Sequence, residues 1–185
     1  MQAAWQPMNA ASLDIPDRGS RGWLAERGQL THRLCEASGG YTVEVEGHSE
    51  VTLSAAEAEL LGCEVQPALL REIVLRAAGG EPCVFARTLV PADTLRVHGW
   101  LANLGGMPLG AALEPRTDVS RSGFEIARLQ PGDELYGAAA GHVGVTAAAL
   151  WARRSIFRVG AGGILVYEVF LPAVGRYASS PAHEL

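Results

Sequence analysis

Three charged residues stand in stretches that otherwise read as buried β-strand. In "ALLREIVLRAAGGEPCVFARTLVP" (68–91) Leu69, Arg71, Ile73 and Leu75 share one face of the first strand, because side chains alternate with period two. In the second strand Arg87 shares its face with Phe85 and Leu89, and in "GGILVYEVFLP" (162–172) Glu168 lies with Ile164, Val166 and Phe170. An arginine fork grips carboxylates at two points, and a carboxylate accepts hydrogen bonds or protons. An unpaired buried charge is costly, so each of the three requires a partner. Two readings stand side by side. In one, Arg71 or Arg87 pairs with Glu168 as a core ion pair. In the other, the arginines face a buried cavity that holds an anionic ligand, with Glu168 at its polar end. In "WARRSIFRV" (151–159) the adjacent Arg153 and Arg154 point to opposite faces, so at most one looks inward.

Other chemistries find no support in the residues. The chain has no lysine; all 15 strong bases are arginine. That excludes a Schiff-base lysine, a pyridoxal-phosphate anchor and a P-loop lysine. His32, His48, His98, His142 and His183 lack metal-site spacing, and Cys35, Cys63 and Cys83 form no CxxC, so no metal is expected and the thiols read as reduced. "GAGG" (160–163) lies between two strands and reads as a hairpin turn rather than a phosphate loop, and no GxSxG elbow is present. A net charge of −5 argues against a nucleic-acid partner. No apolar run is long enough for a membrane helix, and no secretory signal is evident, so the expectation is a cytoplasmic protein. With no exposed heptad or apolar edge in the pattern, a monomer is expected.

The elements that must position these charges follow from period and punctuation. At 185 residues, 48% hydrophobic and 19% charged, the chain is long enough for one domain with its own core. Residues 1–20 read as a flexible arm, 21–176 as the domain and 177–185 as a tail. "WLAERGQLTHRLCEA" (23–37) predicts two short helices split near Gly28. "YTVEVEG" and "EVTL" predict a hairpin around Gly47–His48. Ser54 and Glu57 predict a capping box for a helix that Gly62 closes. Strands follow at 68–78 and 82–90, short helical pieces over "PADTL" and "RVHGWLANLGG", a loop or single turn at "MPLGAAL", and a strand at 121–129. Residues 130–147, rich in glycine and alanine, read as a loop or flap. A second hairpin turns at 160–163. The fold class is α+β: a single domain with an antiparallel sheet, and helices and flaps covering an enclosed ligand pocket.

Six stretches, "GWLAERGQLTHRL", "LLREIVL", "GEPCVFARTLVP", "LGGMPLGAAL", "WARRSIF" and "LVYEVFLPA", occur in the order and character of the chorismate pyruvate-lyase family. The resemblance covers residues 22–174. It implies removal of pyruvate from chorismate to leave 4-hydroxybenzoate, a ring precursor of ubiquinone, on a compact antiparallel sheet whose helical flaps enclose the ligand. It also implies ligand contacts at Arg71, Leu109 and Glu168, with a further one at Leu30, where some relatives carry methionine. Arg87 matches a family arginine close to the site. The N-terminal arm and residues 130–147 depart from compact members.

The residues suit the implied substrate, a dianion with a ring carboxylate, an enolpyruvyl ether and a ring hydroxyl. Loss of the ring hydrogen at the hydroxyl-bearing carbon together with the enolpyruvyl group makes the ring aromatic, so no cofactor is expected. Arg71 is expected to grip a carboxylate and Glu168 to accept a hydrogen bond from the ring hydroxyl. Burial is expected to raise the Glu168 pKa toward values useful to a base. Arg87 is expected to stabilise the departing enolpyruvate, and Leu30 and Leu109 to exclude water. The alternative is a non-catalytic effector-sensing domain, since such domains of some transcription regulators resemble this fold. Those follow a helix-turn-helix, for which the length and first 20 residues are not expected to leave room.

Overall fold

The computed structural model describes residues 3–8, 18–144 and 147–177. Alternating aliphatic runs form one antiparallel sheet. Its path runs β1 (Gln6–Pro7), β6 (Glu125–Leu129), β7 (Leu150–Val159), β8 (Gly162–Phe170), β4 (Pro82–Pro91), β3 (Pro67–Ala77) and β2 (Tyr41–Thr52), with β5 (Val119–Arg121) also paired to β7. Helices cover both faces, giving the α+β architecture that the sequence predicts. On one face lie α1 (Arg18–Ala25), α2 (Leu30–Ser38) and α5 (Leu109–Leu113). On the reverse face lie α3 (Ala55–Leu61) and α6 (Glu134–Val143). The capping box is present: Glu57 N–H donates to the Ser54 hydroxyl, and the Glu57 carboxylate accepts from Ser54 N–H. A further short helix, α4 (Ala92–Val97), follows β4.

The two long hairpins β3–β4 and β7–β8 form as period two and the turn residues predict, but the second turn is Gly160–Ala161 rather than 160–163, so β8 starts at Gly162. Two expectations fail for identifiable reasons. Residues 41–52 form one strand rather than a hairpin; the register slips between Val45 and Gly47, so the glycine marks a bulge. There a Cβ would come within 3.3 Å of a Glu72 carboxylate oxygen, so glycine suits the close approach and not a turn. The stretch 130–147 is mainly α6. Its alanines pack on the sheet, with Ala139 fully buried in one cluster with Phe85, Leu129 and Val169, and that packing overrides the low propensity of Gly137 and Gly141. Within the segment read as an arm, Gln6–Pro7 pairs with Glu125–Ile126, and α1 already starts at Arg18. Residues 1–2 and 9–17 of that arm lie outside the described residues, as does the tail from 178. Tyr177, placed in the tail by sequence, accepts a hydrogen bond from the Trp23 indole at its carbonyl.

Packing on the α1–α2–α5 face is split. Trp23, Leu24, Leu30 and Leu34 pack on Ile73, Leu75, Val84 and Phe170. Leu101, Leu104, Leu109 and Leu113 pack on Val90, Ile164 and Val166. Between the two clusters the sheet presents polar and charged side chains instead. That gap is the candidate site.

Candidate functional site

Register explains how the charges meet. Arg71 lies opposite Thr88, Ala86 opposite Glu168, and Glu168 opposite Arg153. All of these project to the same face, because directly paired residues share a side of the sheet. Arg71 and Glu168 are two strands apart and offset by two residues, about 10 Å across and about 7 Å along the strands at Cα level. Between them lies a cavity of about 390 Å³, within the range of small-molecule sites. Ile73, Leu75 and Val166 floor it, Gln29, Leu30 and Thr31 close it from α2, and Leu109 and Leu113 close it from α5. The cavity keeps an opening to solvent, lined by half-exposed and exposed residues such as Arg27 and Arg116, so full enclosure is not observed. It joins Arg71, Glu168, Leu30 and Leu109 as lining residues, the four contacts that the resemblance implies.

The charges are not paired in the way the core ion-pair reading supposes. Arg71 is 4% exposed, and among the described residues no carboxylate pairs with it. Its Nη2 donates to the carbonyls of Gly105 (2.7 Å) and Met107 (3.0 Å), tying the loop before α5 to the floor. Among the described residues its other nitrogens have no hydrogen-bond partner. Burial pulls the Arg71 pKa down from its ordinary value, yet an arginine of this kind stays charged. Glu168, 9% exposed, accepts from Arg153 Nε at 2.6 Å and from Arg121 Nη2 at 3.2 Å. Burial pushes its carboxyl upward, but the charges of Arg153 and Arg121, with their hydrogen bonds, outweigh burial and hold it below its ordinary value. The expected upward shift toward a base is therefore reversed. The cavity is lined by Arg27, Arg71, Arg116 and Arg121 against Glu114 and Glu168, a cationic excess in a chain whose net charge is −5. The first turn of α2 adds amides that no side chain caps.

Arg87 is not brought to this cavity. One residue along from Ala86, it turns to the reverse face, where Nε donates to Glu72 at 2.8 Å and Nη1 to Glu134 at 2.7 Å. It lines a separate cavity with Trp5, Arg154 and Tyr167. Its shared face with Phe85 and Leu89 belongs to the core under α3 and α6, not to the site. Arg87→Met is expected to leave turnover per folded molecule unchanged while costing on the order of 3 kcal/mol of stability, read by urea unfolding beside an activity assay.

Two site arginines escaped the sequence reading. Arg153 had a usable signal. Once the turn is set at Gly160–Ala161, hairpin register places it directly opposite Glu168. Arg121 had none, because β5 is three residues long and too short to show a period. Its guanidinium lies between Phe124 (4.4 Å) and Phe157 (4.6 Å), Nε donates to Ser155 at 2.8 Å, and among the described residues Nη1 has no hydrogen-bond partner.

Comparison with known proteins adds an independent line. The family model described as Chorismate lyase matches residues 1–178. A protein of Methylobacillus flagellatus named "Probable chorismate pyruvate-lyase" is 38% identical over 162 residues, covering 85% of this chain and 89% of its own. One of the same name from Thiobacillus denitrificans is 37% identical over 176 residues, covering 94% and 91%. Among solved structures, the effector domain of PhnF from Mycobacterium smegmatis superposes with a TM-score of 0.57 at 18% identity, covering 79% of this chain and 90% of that one. The C-terminal domain of a histidine utilization repressor from Pseudomonas syringae gives 0.57 at 12% identity, covering 78% and 99%. At such identities the structural likeness speaks for the fold alone.

Proposed function

Since the chain belongs to the chorismate lyase family, we propose that it eliminates pyruvate from chorismate and releases 4-hydroxybenzoate, feeding ubiquinone synthesis. The observation that carries this reading is the cationic cavity, in which Arg71 has no carboxylate partner among the described residues while Glu168 is held ionised across the floor. A dianionic ring compound supplies what Arg71 lacks. Its ring carboxylate takes the unspent nitrogens of Arg71, and its hydroxyl, para on the ring, donates to Glu168. The enolpyruvyl carboxylate needs a cation of its own; this role passes from Arg87 to Arg121, whose Nη1 is uncommitted among the described residues of the cavity wall. Leu30 and Leu109 keep water from the ring and strengthen each of these contacts.

The reaction breaks the ring C–H at the hydroxyl-bearing carbon and the ether bond to the enolpyruvyl group, and the ring gains aromaticity. The proton that the ring loses equals the one that the enolpyruvate methylene gains on becoming pyruvate, so no net proton enters or leaves. Glu168, clasped by two guanidiniums, is a weak base and a good hydrogen-bond acceptor. Its part is to hold the hydroxyl and orient the breaking C–H bond.

The test is to mix the protein with chorismate and follow pyruvate and 4-hydroxybenzoate together. Equal appearance of both products is expected. Thermal stabilisation by chorismate without products assigns an effector-sensing domain instead, and neither response removes the small-acid reading altogether.

A further inference from the structure

One guanidinium joins the roof of the cavity to its floor. Arg153 is fully buried, and its Nε donates to Glu168. Its Nη1 donates to the carbonyls of Trp23 (3.2 Å), Leu24 (3.2 Å) and Glu26 (2.5 Å), at the end of α1, where backbone carbonyls lack helical partners. The α1 helix has no basic residue in its last turn, so Arg153 supplies from the sheet the cation that such an end favours. The segment held in this way runs straight into Gln29 and Leu30, which close the cavity from above. Its guanidinium also stacks on Phe124 at 4.2 Å, which fixes its plane.

We propose that Arg153 is a positioning residue that couples the α1–α2 roof segment to Glu168, so that the roof closes over a bound ring only while the carboxylate holds Arg153 in place. The functional half of this inference rests on the chorismate lyase reading; the physical tie does not. An arginine suits the task because its flat fork reaches two directions at once, whereas a lysine ammonium reaches one. Glu168 faces Arg153 from β7, Arg121 from β5 and Arg71 from β3, while Arg27, Glu114 and Arg116 line the rest of the cavity.

Two variants of the full chain test the tie, with amide hydrogen exchange as the first readout. In Arg153→Lys the charge stays beside Glu168 but the link to the α1 carbonyls is lost. Exchange across residues 22–30 is expected to rise about tenfold or more in the ligand-free protein, with the core strands β4 and β8 unchanged. The 4-hydroxybenzoate off-rate and KM for chorismate are expected to rise by a similar factor, with kcat changed less and the acid limb of kcat/KM unmoved. In Arg153→Met the acid limb also moves to higher pH, since one of the two cations bonded to Glu168 is gone. A merely structural arginine would not move that limb, and it would loosen the sheet generally. Exchange at 22–30 equal to the parent in Arg153→Lys, or raised uniformly over the sheet, overturns the proposal. Should the parent make no products from chorismate, the lyase reading fails, yet the exchange comparison still decides the tie.

Discussion

Replacing Arg71 by alanine is expected to lower kcat/KM for chorismate by about a thousandfold, at about 2 kcal/mol for each of two charge-assisted hydrogen bonds. Most of the loss is expected in KM, because a grip on the ring carboxylate acts in the ground state and the transition state alike. The fold should survive. Among the described residues Arg71 neutralises no carboxylate, and its protein bonds go to the carbonyls of Gly105 and Met107, both on exposed residues that water can reach. Tm is therefore expected to stay within about 5 °C of the parent. Arg71→Lys, which keeps the charge but not the fork, should fall between the two in a steady-state assay. Parent-like kcat/KM in a folded Arg71→Ala protein removes Arg71 from the site. The contrast with Arg153 and Arg121 sharpens the result, since those two hold Glu168 and their removal disturbs a buried carboxylate.

How far the sequence could reach follows from what alternation can and cannot say. The strands carrying Arg71 and Glu168 announce themselves, because a charge among aliphatic residues at period two marks one face of a strand. Period two does not say which faces of neighbouring strands coincide. Arg87 looked equivalent to Arg71 in pattern, yet its companions Phe85 and Leu89 belong to the reverse core, and only the pairing of Ile73 with Ala86 decides that. Arg153 was one inference away, through the register of its own hairpin. Arg121 sits on a strand too short to show a period, and long-range pairing alone brings it to Glu168. The ionisation of Glu168 was misjudged for the same reason. Burial was visible in the pattern, but the two cations that outweigh it come from β5 and β7. Gly47 and the α6 alanines show the local version of the problem: a glycine does not declare a turn or a bulge, nor a small residue a loop or a closely packed helix.

Glu168→Gln is expected to lower kcat/KM about a hundredfold, as an ionised acceptor for the ring hydroxyl becomes a neutral one. The same change is expected to cost about 3 kcal/mol of stability, because Arg153 and Arg121 lose the anion between them. The pH dependence separates positioning from proton abstraction. Arg153 and Arg121 hold the folded-state carboxyl below its ordinary value, so its ionisation stabilises the fold above the ordinary carboxylate range. That contribution is lost as pH falls through the lowered folded-state value, and Glu168→Gln should flatten this part of the acid unfolding curve. Activity should follow the same group. With Glu168 as an ionised acceptor, kcat/KM stays level from neutral pH into the acid range and falls only where the carboxylate finally protonates. A general base is most effective when its pKa lies near the working pH, and it would give a limb close to neutrality that vanishes in Glu168→Gln. A limb there would mean that substrate binding displaces the arginines and frees Glu168 to take the ring proton. A level profile leaves the proton to the departing enolpyruvate and makes the ion pair of Glu168 the means of aiming the C–H bond.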